Sequence, residues 1–221
     1  MRDFDEIFGI AADRKGGAEA LEAMLSTPLP PQELAAIPDD RWLSMMAKCV
    51  FQAGFSWKVI EGKWPGFEAA FDAFDPDRVA FYGDEAMDRL LADKGIVRNG
   101  AKIASVIENA QLVRALAEEH GGVGAFVAGW PVTDHAALLE LLAKRGSRLG
   151  GGTAQRMLRF MGRDGYVMSP DVAARLIAEG VVAKPPTSKR DMAAVQAAFN
   201  TWMEQSGRGL TQISQVLAYS V

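Results

Sequence analysis

Six basic side chains, Lys144, Arg145, Arg148, Arg156, Arg159 and Arg163, fall in one stretch of the chain that contains no acid. Inside it lies RGSRLGGGTA (145–154), a glycine-rich turn between two apolar runs, Ala136–Leu142 and Ala154–Met161. Consecutive backbone N–H groups in such a turn, with a helix N-terminus behind them, suit a phosphate oxygen. A Cβ would hold a phosphodiester at a distance, which gives Gly150, Gly151 and Gly152 a use. With Arg148, Thr153 and Lys144 beside them, these residues are candidate contacts to a nucleic-acid backbone, with salt-sensitive, sequence-independent affinity. The same residues also read as a flexible surface loop with solvated charges.

Metal and thiol chemistry have less to work with. Cys49, His120 and His135 are the only cysteine and histidines, whereas a structural zinc site takes four such ligands. A zinc finger is excluded, no metal site is expected, and a lone thiol forms no intrachain disulfide. Asp171 follows Ser169 and Pro170 in SPDVAARL, a good helix start and an ordinary place for an acid.

The elements that must position these groups read as helices. Residues 39–54 put Trp42, Met45, Met46, Cys49 and Val50 on one stripe. Residues 100–119 run Ile103, Val106, Ile107, Ala110, Val113, Leu116 and Ala117 at steps of three and four. Helical periods also cover 83–92, 134–145, 153–161 and 188–205, and the prolines are expected between the runs. No alternating β-branched hairpin and no repeat occurs. The expected fold class is all-α, with about ten helices and a connector at 181–190 leading to a C-terminal helical pair. Phe71, Phe74 and Phe81 read as core or helix-contact residues.

The chain has 221 residues and a net charge of −4. With six positive charges in the basic stretch, the remainder carries −10. Half the residues are hydrophobic, so a substantial core can form. No apolar run is long enough for a membrane span, and the acidic start of MRDFDEIFGIAADRKGG is unlike a signal peptide. A cytoplasmic, monomeric protein with no membrane partner is expected.

A longer pattern spans 51–113. It contains Q-A-G-x-S-W at Gln52–Trp57, then F-x-x-F-D-P-x-x-V at Phe71–Val79. Gly95, Ile96, Arg98, Lys102, Ile103, Asn109 and Ala110 follow as G-I-x-R-x-x-x-K-I…N-A. Three ordered matches make the chain resemble the DNA-3-methyladenine glycosylase I family, and the glycine-rich turn is similar to that family's helix-hairpin-helix segment. The resemblance implies one glycosylase-like domain over 1–221 with two packed helical subdomains and a base pocket in the cleft between them. Its best-matching part is 42–118, its helix-hairpin-helix part 136–180, and 181–221 is a C-terminal helical extension.

The implied activity is hydrolysis of the N-glycosidic bond of alkylated purines such as 3-methyladenine in damaged double-stranded DNA, without a cofactor. The base must first leave the stack. A 3-methylated adenine is cationic and already a good leaving group, so an aromatic box suits it. The resemblance places Trp57 in that box, with Gln52, Phe51 and Cys49 from the same segment and Trp42 refilling part of it. By period alone Trp57 reads as a core anchor.

Three departures accompany the matches. The family's zinc site of two Cys and two His cannot form, so packing of the terminal segments must replace it. Cys49 stands where the family has a glutamate that contacts the base, and a thiol is a poor acceptor. The family's N-terminal aromatic and histidine motif is missing. The wider superfamily's V-D-x-x-V resembles the segment around Asp171, which makes Asp171 the candidate catalytic carboxylate; a plain helix-start acid is the other reading. No lysine is a clear Schiff-base nucleophile, so a monofunctional hydrolase is expected. A non-catalytic DNA-binding relative on the same fold is the alternative.

Overall fold

A computed structural model describes the whole chain, Met1 to Val221. It is all-α, as the periodicity predicts, and holds no strand. The first helices are α1 (Phe4–Lys15), α2 (Ala18–Glu22), α3 (Pro31–Ala35), α4 (Asp39–Gln52) and α5 (Trp57–Ala70). Then come α6 (Pro76–Val79), α7 (Asp84–Ala92), α8 (Gly100–His120), α9 (Val123–Gly129) and α10 (His135–Arg145). The last are α11 (Gly152–Phe160), α12 (Pro170–Ala178), α13 (Lys189–Ser206) and α14 (Leu210–Tyr219). The six helices read from sequence are present. Those beyond the expected ten include α2, α3 and α6, each of five residues or fewer, which show too little period to detect.

Packing divides the chain into two compact units that do not follow sequence order. One unit, inner in sequence, comprises Pro30–Trp130 and Leu139–Met161; the other, outer in sequence, comprises Met1–Leu29, Pro131–Leu138 and Gly162–Val221.

The inner unit is built around α4. Its first turn carries Asp39 and Asp40, which suit a helix N-terminus. Its remaining residues are buried on nearly every side, Trp42, Leu43, Met46, Cys49, Val50 and Phe51 among them. It packs against α8 and α11.

Beside it, Trp64 of α5 stacks on Phe74 of the second sequence motif at 5.5 Å, and Phe74 on Phe71 at 5.4 Å. Asp72, Ala73 and Phe74 all take left-handed backbone angles (φ 50°, 55° and 60°), a conformation that costs an L-residue about 1–3 kcal/mol. Arg41 donates to Ala73 O at 2.8 Å and Tyr82 to Asp72 Oδ2 at 2.9 Å, bonds that hold the turn. Asp75 then accepts from Asp77 N at 2.9 Å and starts α6. The F-x-x-F-D-P pattern is therefore a structural one.

Two expectations fail here. Pro65 lies inside α5 rather than between helices, where it withdraws a donor from the Glu61 carbonyl on an exposed face. Phe81 is no core residue: it is 71% exposed, with the Arg114 guanidinium 4.7 Å above its ring.

The outer unit joins the two ends of the chain. The Trp202 indole donates to Arg2 O at 3.2 Å, and Phe4 N donates to Gln205 Oε1 at 2.9 Å. Glu179, whose side chain is only 1% exposed, accepts from the Arg2 amide at 2.8 Å and from the Arg2 and Arg175 guanidinium groups. Arg175 reaches on to Ser220, with Nε at 2.7 Å from Oγ. Helices α1, α12, α13 and α14 thus close on one another.

Candidate functional site

Within the inner unit, the end of α10, the turn 146–151 and α11 form the hairpin read from sequence. Leu149 is fully buried and anchors its tip. Gly146 has no room for a side chain, since a Cβ would stand 2.8 Å from the Leu142 carbonyl oxygen. Gly151 adopts φ 56° and ψ −134°, which excludes ordinary L-residues. No side chain caps the N-terminus of α11, where Thr153 N donates back to Gly150 O at 3.3 Å.

The hairpin is held by a residue two turns from the start of α8. The Asn109 carboxamide, 1% exposed, donates from Nδ2 to Ser147 O at 3.0 Å and accepts at Oδ1 from Ser147 N at 2.8 Å. The next residue, Arg148, is exposed and left-handed, with φ 59°.

Seven residues before Asn109, on the same face of α8, Lys102 is 7% exposed and turned to the end of α4. Its ammonium donates to Phe51 O at 3.2 Å and Ala53 O at 2.5 Å and lies 4.5 Å from the Phe55 ring. Those carbonyls belong to the negative end of α4, so the lysine acts as a C-terminal cap. Burial, and then the neighbouring Arg148 charge, hold its pKa below the usual lysine range.

Between the end of α4 and the hairpin opens a cavity of about 350 Å³, lined by Val50, Ala53, Lys102, Arg148, Gly150 and Thr153. Its lining carries two cations and no carboxylate. Trp57, at the first position of α5, is 46% exposed and meets the equally open Phe160 ring edge-on at 6.1 Å. The core-anchor reading of Trp57 therefore falls.

The other residues read from sequence divide. Gly150, Thr153 and Arg148 reach the cavity; Gly151 and Gly152 continue the same turn into α11. Lys144 is exposed at the end of α10. Trp42 and Phe51 are wholly enclosed and belong to the core rather than to the cavity lining. The reason is helical phase: each residue turns α4 by about 100°, so Val50 and Ala53 share the open side while Phe51 turns to Phe67, 4.6 Å away.

Cys49 is buried, and burial pushes its thiol up to about 12, despite the nearby charges of Arg156 and Lys48. It is a neutral thiol at any ordinary pH. Gln52, also buried, donates to Glu61 Oε1 at 3.2 Å, while its own Oε1 has no donor. Asp171 is an exposed acid in the first turn of α12, in the outer unit, where Ser169 supplies the cap to Val172 N at 3.1 Å.

Space also alters the basic stretch. Arg145 forms a paired bridge to Glu119 of α8, at 2.7 and 2.8 Å, and Arg163 is 5% exposed. The acid-free run in sequence is thus not an acid-free surface. In the sequence, Lys102 and Asn109 are motif positions without roles. Their spacing of seven, which puts two polar groups on one buried helix face, was the available signal. No group of three or more His, Cys, Asp or Glu side chains gathers as a metal site.

The methyladenine glycosylase family model matches residues 36–165. DNA-3-methyladenine glycosylase 1 of Escherichia coli is 42% identical over 60 residues, which are 27% of this chain and 32% of that protein. The matched stretch thus spans about a third of that relative's own length. The 3-methyladenine DNA glycosylase I of Staphylococcus aureus superposes with a TM-score of 0.52 at 25% identity, over 62% of this chain and 80% of its own. An 8-oxoguanine glycosylase/lyase of Methanocaldococcus jannaschii, solved with DNA, is similar in fold over 97% of this chain and 96% of its own. Its TM-score is 0.52 and its identity 12%.

Proposed function

This chain belongs to the methyladenine glycosylase family, and we propose that it removes alkylated purines such as 3-methyladenine from damaged double-stranded DNA by hydrolysing their N-glycosidic bonds. The observation that carries the reading is the inner-unit cavity, lined by the glycine-rich hairpin and two cations, with the open Trp57 at the start of α5, the helix that follows the cavity's α4 wall.

Each part has work in such a reaction. Arg148, the Gly150–Gly152 backbone and Thr153 take phosphate oxygens, with Lys144 adding charge at the rim. The damaged base, turned out of the stack, lies on the Trp57 face, where a cationic ring gains from the indole quadrupole. Gln52, with an acceptor that lacks a donor, suits an exocyclic amine. Cys49 contributes shape and no charge, so cation recognition falls to the aromatic surface.

In the chemical step water adds to the sugar C1′ as the C1′–N bond breaks. The base leaves with the bonding pair, which neutralises its positive charge, and the proton of the attacking water passes to a carboxylate. Asp171 is the carboxylate proposed on its sequence context, and no metal or cofactor enters the scheme.

The test is base release from methylated duplex DNA, with products separated by chromatography, alongside binding to abasic-site DNA at two salt concentrations. Release of a methylated purine is expected. The buried, uncharged Cys49 favours one second reading, a damage-binding relative without turnover. Salt-sensitive binding with no released base would establish that reading and overturn the first.

A further inference from the structure

The hairpin's shape depends on a residue outside it. Ser147 is gripped by the Asn109 carboxamide through both its backbone N–H and its C=O, across 38 residues of sequence. Arg148, next in the chain, is the only non-glycine residue of the turn with positive φ. A free chain would leave that conformation readily, because L-residues disfavour it. With Ser147 fixed on both sides, the direction in which Arg148 departs is fixed as well. Two turns away on α8, Lys102 fixes the opposite wall by holding Phe51 O and Ala53 O. One helix face therefore sets the distance between the two walls of the cavity.

We propose that Asn109 is a positioning residue for phosphate binding: by clasping the Ser147 backbone it keeps Arg148 left-handed and its guanidinium at the cavity beside Lys102. Asn109 itself touches no ligand. The ligand class is a DNA phosphodiester, so the inference rests on the DNA-binding part of the function proposed above. The Ser147 side chain has no part in it, because both bonds are to its backbone.

The experiment measures dissociation constants for abasic-site duplex DNA between 50 and 200 mM salt, for the full chain and folded variants checked by thermal melting. Arg148→Ala removes one phosphate contact, so this fourfold rise in salt should weaken it roughly threefold less than wild type. Asn109→Ala removes no charge, yet should show the same reduced salt response, and the double variant should match Arg148→Ala alone. Ser147→Ala should behave as wild type. If Asn109→Ala fails to fold, Asn109→Ser, which is too short to span Ser147, takes its place with the same expectation.

A weakened Asn109 variant that keeps the wild-type salt response, or additive losses in the double variant, would overturn the positioning role and leave the DNA-binding function standing. A wild-type chain that binds no DNA at either salt would remove both.

Discussion

At the scale of single residues, the open tryptophan and the buried thiol make opposite predictions. Trp57 is half-exposed and supports little core. Trp57→Ala should therefore cost under about 1 kcal/mol of stability while removing about 1–3 kcal/mol of base stacking. Melting temperature and single-turnover base release would separate the two effects; a large loss of stability with normal release would restore the core-anchor role. Asp171→Asn should lower turnover on the order of a hundredfold or more and leave DNA affinity unchanged. Unchanged turnover would return Asp171 to the status of a helix-start acid. Cys49, pushed up to about 12 and 1% exposed, should resist a thiol-specific reagent at pH 8 until the protein is unfolded. Rapid labelling of native protein would show that α4 opens around it.

At the scale of elements, ion pairs hold helices to turns. Glu68 of α5 receives both Arg41 nitrogens at 3.0 Å, Ser44 Oγ at 2.8 Å and the Trp64 indole at 3.1 Å. Burial works against its charge, but the bonds from Arg41 and Ser44 prevail and hold its pKa below the usual glutamate range. A carboxylate with a depressed folded-state pKa contributes stability above its unfolded pKa of about 4.3, and loses it as pH falls through the folded value. Glu68→Gln should destabilise the protein by roughly 1–2 kcal/mol near neutral pH and by less in acid. Denaturant titrations at pH 7 and pH 3 would show it, and an equal loss at both would dismiss the charge. Helices of this length were legible in the sequence: 100–119 became Gly100–His120 and 188–205 became Lys189–Ser206. Period reports which side of one helix is apolar and nothing about its neighbours. Phe51 and Trp42 entered the expected pocket through the resemblance, which does not state the side of α4 each one faces, and Pro65 inside α5 breaks the expectation that prolines separate helices. The hairpin and Trp57 were legible because their composition or motif is local. The Asn109 clasp was not, because it joins residues 38 apart.

At the scale of the whole molecule, one buried carboxylate ties the two ends of the chain together. Glu179 is almost fully buried among Arg2 and Arg175, so Glu179→Ala would leave both cations without it and should cost about 3–5 kcal/mol. The melting temperature should fall by several degrees, and a shift within error would mean the terminal helices are secured by apolar packing alone. Nothing in composition announced this arrangement, since its partners lie 177 residues apart. No helix is long and apolar enough to cross a membrane. The chain passes between its two units four times, at the boundaries near residues 30, 131, 139 and 162. Synthesis on a ribosome turns that geometry into an order of events. Every residue of the inner unit has been added once Met161 is in place, whereas Phe4 and Ile7 must await α13 and α14. At about 5–20 residues per second, the amphipathic first helix would go without its final neighbours for about 10–40 seconds, a window in which a holding chaperone or a second nascent copy could capture it.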